Sequence, residues 1–126
     1  MASTLDTIGS AQYALLTTYR RDGRTVPTPL WVVRDGDAVA VWTPTDSGKV
    51  KRIRRNPRVL IGPCDFRGRT IGDEAPGVAV VLDRDGTARI RRLLARKYGL
   101  IGRLSLWGSR LRRGQMGTVG IRVTLD

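Results

Sequence analysis

A chain of 126 residues and 13.9 kDa has the size of one ordinary domain, with room for an apolar core that needs no metal or disulfide to hold it. A lone cysteine, Cys64, excludes an internal disulfide, and the lack of any histidine excludes the usual zinc sites and every histidine-dependent triad or general base. The net charge of +12 points to a polyanionic partner: nucleic acid, an acidic membrane surface, or a phosphorylated or polycarboxylate ligand. GC-rich coding would give a similar arginine excess with no partner at all. The excess is uneven, with ten Lys or Arg and no acid between Thr87 and Leu125, while Asp65, Asp73, Glu74, Asp83 and Asp85 cluster just before. Met1 to Ser10 has neither a basic nor an apolar signal region, and no apolar run is long enough for a membrane span. The expectation is a single-domain, soluble, cytoplasmic protein.

In chain order, Ser3 to Ser10 suits a short helix with Leu5 and Ile8 on its apolar side. Gln12 to Tyr19 alternates as a strand, Arg21-Asp22-Gly23-Arg24 supplies a hairpin turn, and Thr25 to Val33 returns as a second strand. Pro27 and Pro29 stand two apart in that strand, so both missing amide donors fall on one edge and pairing there must be incomplete. A blunted edge that resists aggregation explains this, and so does an edge whose free carbonyls, with Trp31 further along, face a flat ligand. A second Arg-Asp-Gly, Arg34 to Gly36, leads to the strand Ala38 to Thr43.

From Trp42 to Val59 the pattern is a strand end, a loop, a short helix after Ser47 and a stop at Asn56-Pro57. Ser47 is a fitting N-cap whose hydroxyl can accept from an early helical amide. Val50 and Ile53 share an inward face, which turns Lys49, Lys51, Arg52, Arg54 and Arg55 elsewhere. Free amides, the positive end of the helix dipole and Lys49 would meet where a phosphate could be held, and a solvated basic face is the plainer alternative.

Arg58 to Asp65 then reads as a strand, Thr70 to Pro76 as a loop, Gly77 to Leu82 as a strand and Arg84-Asp85-Gly86 as a third turn. From Ala88 the period becomes helical through Ile90, Leu93, Leu94 and Tyr98, with Gly99 as a C-terminal cap. Leu100, Leu104, Trp107 and Leu111 continue that spacing past Gly102 and Gly108, with Trp107 expected to pack the late helix on the barrel. Thr118 to Leu125 is the closing strand. The expected class is mainly β: a barrel of about six antiparallel strands with two or three helices attached. Cys64 is expected to be a small buried residue, and Tyr13 and Tyr19 packing or surface residues.

The chain resembles the pyridoxamine-phosphate-oxidase-like split β-barrels, and within them the small branch of deazaflavin-dependent (coenzyme F-420) oxidoreductases. The residues that carry the likeness are Ala14-Leu15-Leu16-Thr17-Thr18 with Arg21-Asp22-Gly23, Val26-Pro27-Thr28-Pro29-Leu30-Trp31, Ser47-Gly48-Lys49 with Asn56-Pro57-Arg58-Val59, and Lys97-Tyr98-Gly99. In flavin-binding members a Ser-Arg-Lys segment at the helix start binds the cofactor phosphate. Ser47 and Lys49 match it, while Gly48 departs from the arginine and leaves Lys49, with Lys51 or Arg52, as the implied phosphate ligands. The resemblance further implies that Thr28, Pro29, Leu30 and Trp31 lie along the tricyclic ring, that Trp42 and Thr43 approach the ribityl chain and phosphate, and that a homodimer shares the site.

The implied function is an oxidoreductase binding coenzyme F-420 (8-hydroxy-5-deazaflavin) and passing hydride to or from a small conjugated substrate, with no catalytic side chain of its own. The basic excess suits F-420, a polyanion through its phosphodiester and oligoglutamate tail. The alternatives are an FMN or FAD flavoprotein of the same fold, and a non-catalytic cofactor carrier or nucleic-acid-binding module. Against nucleic acid stands the scarcity of exposed aromatics interleaved with the cations.

Overall fold

The computed structural model describes residues 3–113 and 117–126, with side chains placed for 3–99 and 117–126. In order these form α1 (Thr4–Ser10), β1 (Tyr13–Tyr19), β2 (Thr25–Asp35), β3 (Ala38–Pro44), α2 (Gly48–Arg55), β4 (Arg58–Cys64), β5 (Ala75–Val81), α3 (Arg84–Arg113) and β6 (Thr118–Leu125). The strands pair antiparallel in the order β1, β2, β3, β6, β5, β4 and close into a barrel where β4 returns to β1. This is the mainly-β barrel with attached helices that the patterning predicts.

Strand alternation makes the core. Ala14 and Leu16, Val32, Val39 and Val41, Ile61, Ile121 and Val123 point inward and are buried. Val50 and Ile53 of α2 join that cluster, as does Ile8 of α1. Each such Val, Leu or Ile side chain contributes about 1.5–3 kcal/mol relative to exposure. Val50 and Ile53 therefore decide which face of α2 is inward, and its cations are turned out. On the barrel's outer face Val33 and Ala40 pack with Ile90 and Leu94 of α3.

Ser3 caps α1 through a reciprocal box, its Oγ accepting from the Asp6 amide at 3.0 Å while the Asp6 carboxylate accepts from the Ser3 amide at 3.3 Å. Arg21-Asp22-Gly23 and Arg34-Asp35-Gly36 lie at hairpin turns, and both glycines have positive φ. The third triplet does not: Arg84 to Gly86 is the first turn of α3, which begins four residues before the expected Ala88. Asp83 is what makes it a helix start, because its Oδ1 accepts from the Gly86 amide at 2.8 Å and its carbonyl from the Thr87 amide at 2.8 Å. Gly99, at φ 65°, breaks α3 where a C-terminal cap is expected, and the backbone resumes helix beyond it. The expected packing of Trp107 falls on a side chain outside those described.

Strand β5 also corrects the sequence reading, since it starts at Ala75 and includes Pro76, expected to be loop. Pro76 fits because its carbonyl accepts from the Asp126 amide while its register partner is Leu60. Cys64 is 2% exposed, a packed residue as expected, and burial pushes its thiol pKa up. Among the described residues no helix is long and apolar enough to cross a membrane.

Candidate functional site

The barrel opens between β2 and β3. Their ladder runs only from Asp35↔Ala38 to Val32↔Val41, beyond which β2 continues back to Thr25 against β1 and β3 continues to Pro44 against β6. Backbone groups along a strand face alternate edges. The Val32 amide donates to Tyr98 Oη at 3.1 Å and its carbonyl accepts from Lys97 Nζ at 2.6 Å, on the side where β1 has ended. Pro27 and Pro29 share the opposite phase, so their carbonyls face away from β1, along an edge with no paired strand among the described residues. The two prolines thus sit where a missing amide costs no ladder bond.

Lys97 and Tyr98 fasten this opening from outside. Lys97 Nζ donates to the carbonyls of Gly9, Ala11 and Val32, and Tyr98 Oη donates to Gln12 O at 2.6 Å. The Tyr98 ring stacks on Trp31 with centroids 4.3 Å apart and planes 9° from parallel. Burial pushes Lys97 down to about 8 and Tyr98 up to about 12. Position 31 of the open strand is thereby held by an aromatic stack, and the motif Lys97-Tyr98-Gly99 acquires a structural job.

Helix α2 follows the open part of β3 and carries the cations. Ser47 stands at its N-cap, but its hydroxyl makes no capping bond; it lies 3.4 Å from Thr43 Oγ1 instead. The early amides of α2 therefore lack the side-chain acceptor that the sequence leads one to expect. Thr43 is 1% exposed and turned into the barrel. Lys49 is half-buried, and that burial, with Arg52 nearby, holds its ammonium below the usual lysine range.

Arg52 is bound in place. Its Nε donates to the buried Thr18 Oγ1 at 2.7 Å, and its Nη1 lies 2.6 Å from where a Cβ on Gly48 would be. Gly48 is the space in which this guanidinium fits. Burial, and then the charges of Arg20 and Arg55, hold Arg52 below the ordinary arginine range. A cleft of about 410 Å³ lies between α2 and the β1–β2 hairpin, lined by Arg20, Arg21, Asp22, Arg24, Gly48, Lys51, Arg52 and Arg55.

Of the sequence-predicted residues, Gly48, Lys51 and Arg52 meet at that cleft, with Ser47 and Lys49 flanking Gly48 in the chain. Thr28, Pro29, Leu30 and Trp31 lie along the open strand, half-buried. Trp42 belongs to the β3 side of the opening, yet its ring packs in the apolar cluster beneath α3 with the Arg91 guanidinium 5.4 Å from its centroid. Its buried Nε1 has no acceptor among the described residues. Sequence reasoning missed Thr18, Arg55 and the hairpin arginines as members of the basic cluster. Three arginines in a five-residue turn, Arg20 to Arg24, were the available signal. A second cleft of about 470 Å³ at the start of α3 sets Asp83 and Asp85 beside Arg54, Arg84 and Arg91, so two carboxylates offset most of its positive charge and it fits an anion less well.

No family model matches the chain, and no curated protein sequence does. Solved structures do. A conserved hypothetical protein of Mycobacterium tuberculosis is 20% identical with a TM-score of 0.73, over 100% of this chain and 81% of that one. A protein named F420 reductase is 19% identical with a TM-score of 0.69, over 100% of this chain and 96% of its own. A Listeria innocua protein named for pyridoxamine 5'-phosphate oxidase is 16% identical with a TM-score of 0.66, over 97% and 90% respectively. At these identities the likeness establishes the fold alone: this chain is a split β-barrel folded like these proteins.

Proposed function

We propose that the chain is an oxidoreductase that binds coenzyme F-420, holding the ring along the open edge of β2 and the phosphate at the start of α2. The observations that carry this reading are an unpaired carbonyl edge, Pro27 to Trp31, where the β2–β3 ladder has stopped, and a helix start with Gly48, Lys49 and Arg52 that follows directly on β3. An unpaired edge offers acceptors to a flat heterocycle bearing N–H donors, and uncapped helix amides beside cations suit a phosphate.

When bound, the deazaflavin supplies the hydride chemistry. The protein's part is to bind and orient: Lys49 and Arg52 with Lys51 for the anion, Ser47 for the polar chain with the buried Thr43 hydroxyl behind it, Thr28 to Trp31 for the ring. No histidine or nucleophile is needed, consistent with a chain that has no histidine. The substrate is a small conjugated molecule, and a homodimer completes the site from its second copy.

FMN is the second reading, and one observation favours it. The cation that flavin-binding relatives carry at the position of Gly48 is supplied here by Arg52, whose guanidinium fills that space. A spectroscopic screen of purified protein against F-420, FMN and FAD separates the readings. Saturable binding of F-420 and a colourless preparation support the first; a yellow preparation supports the second. Failure of all three to bind contradicts both.

A further inference from the structure

Among the described residues, the large apolar side chains left exposed are Phe66, Ile71, Val78 and Val80. Val78 and Val80 belong to β5, three strands from β2 in either direction round the barrel. Phe66, 66% exposed, stands instead on the connection from β4 to β5, which folds back as a small hairpin. Thr70 bridges to Cys64, the Asp65 amide donates to the Arg69 carbonyl at 2.9 Å, and the Gly68 amide donates to the Asp65 carbonyl at 3.0 Å. Asp65 Oδ1 also accepts from the Arg67 and Arg69 amides, each at 2.9 Å, and Gly68 makes the turn with a φ of 87°. The backbone under Phe66 is thus fixed, and an aromatic ring held in solvent on fixed backbone is preorganised for a ligand.

This hairpin lies against the strand to which the cofactor ring is assigned. A Cβ on Gly68 would stand 3.5 Å from Leu15 Cδ1 and 3.8 Å from Pro29 Cγ and Cδ. Leu15 and Pro29 are register partners on β1 and β2, and Pro29 belongs to the open edge. The Arg67 guanidinium lies over the Phe66 ring, 5.4 Å from its centroid, and forms no ion pair among the described residues. We propose that Phe66 and Arg67 are substrate-contacting residues of the oxidoreductase: the face of Phe66 away from Arg67 takes a planar conjugated molecule beside the β2 edge, and Arg67 takes a carbonyl or carboxylate oxygen of the same molecule. Phe66 selects the flat apolar body and Arg67 its oxygen-bearing end. The proposal rests on the placing of the ring along Pro27 to Trp31.

Phe66 is the only phenylalanine, so the full chain made with 4-fluorophenylalanine carries a single fluorine label at this ring. Titration with 2-naphthoate moves its resonance saturably, and the cationic analogue 2-naphthylmethylammonium binds about fivefold or more weakly. Arg67→Gln removes that preference, while Arg92→Gln, at an exposed position of α3, takes away the same charge and keeps it. A resonance that does not move, equal affinity for the two probes, or loss of the preference in both variants overturns the proposal. A resonance that moves on dilution of the protein alone also overturns it, by assigning Phe66 to a contact between copies. F-420 that binds while 2-naphthoate leaves the resonance in place sinks this proposal and keeps the cofactor reading. Movement by 2-naphthoate where F-420, FMN and FAD all fail to bind keeps the contact and sinks the cofactor reading.

Discussion

Arg52 stands over Gly48. One helical turn separates them, and the guanidinium Nη1 reaches to within 2.6 Å of where a side chain at position 48 would begin. Thr18, far away in the chain, holds the other side of that guanidinium at 2.7 Å. Position 48 itself bears no cation, and a guanidinium from the next turn lies over it instead. Glycine at 48 is the condition for it.

Gly48→Ala separates stability from binding. Alanine is the better helix former by up to about 1 kcal/mol, so the melting temperature holds or rises slightly. The added methyl meets Arg52 Nη1 and turns that end of the guanidinium aside while the Nε bond to Thr18 is kept, and affinity for a phosphate-bearing ligand falls about tenfold. Calorimetric titration beside a melting curve reads both; unchanged affinity would show that the Arg52 position is irrelevant to binding.

Thr18→Val keeps shape and removes the acceptor. Thr18 is fully buried, and the lost bond involves a charged donor, so the expected cost is about 1.5–3 kcal/mol of stability. Anion affinity falls with it, because Arg52 is no longer oriented. Thr18→Ser, which keeps the hydroxyl, restores the affinity; a serine variant as weak as the valine one would contradict the positioning role.

Lys97→Met leaves the carbonyls of Gly9, Ala11 and Val32 without their shared donor and costs about 2–4 kcal/mol at neutral pH. The pH dependence has a definite sign. Burial depresses Lys97 to about 8 from the ordinary 10.5, so the unfolded chain holds this proton in a range where the folded chain has released it. Stability from this residue is lowest below pH 8 and grows as the pH rises toward 10.5. Denaturant titrations of wild type and Lys97→Met across that window should show a gap that widens with pH; a gap that narrows would contradict the assignment.

Tyr98→Phe keeps the stack on Trp31 and removes the hydroxyl that accepts from the Val32 amide and donates to Gln12 O. The Val32 amide is buried and loses its partner, at a cost of about 1–3 kcal/mol. Hydrogen exchange should accelerate at Val32; unchanged protection there would mean that the clamp does not hold the strand.

Where local chemistry decided an element, it was legible from sequence. Thr118 to Leu125 alternates over its whole length and is the strand β6, and Val50 with Ile53 named the buried face of α2. The prolines at 27 and 29 pointed to an incompletely paired edge, and the β2–β3 ladder stops short of both. Arg84-Asp85-Gly86 misled because the same triplet suits a hairpin turn or a helix start; Asp83 before it decides, by capping α3. Ser47 misled because its hydroxyl sits by Thr43 rather than on a helix amide. The basic cluster was half legible. Lys49, Lys51 and Arg52 are neighbours in the chain, but Arg20 reaches Arg52 only because β1 folds against α2, a tertiary fact no local pattern encodes.

The central claim is that the start of α2 holds the phosphate of a deazaflavin. Fluorescence titration of F-420 into the purified wild type and Lys49→Ala tests it most directly. The account predicts saturable binding by the wild type and a loss of about tenfold or more in the variant. No binding by the wild type, or undiminished binding by Lys49→Ala, contradicts it.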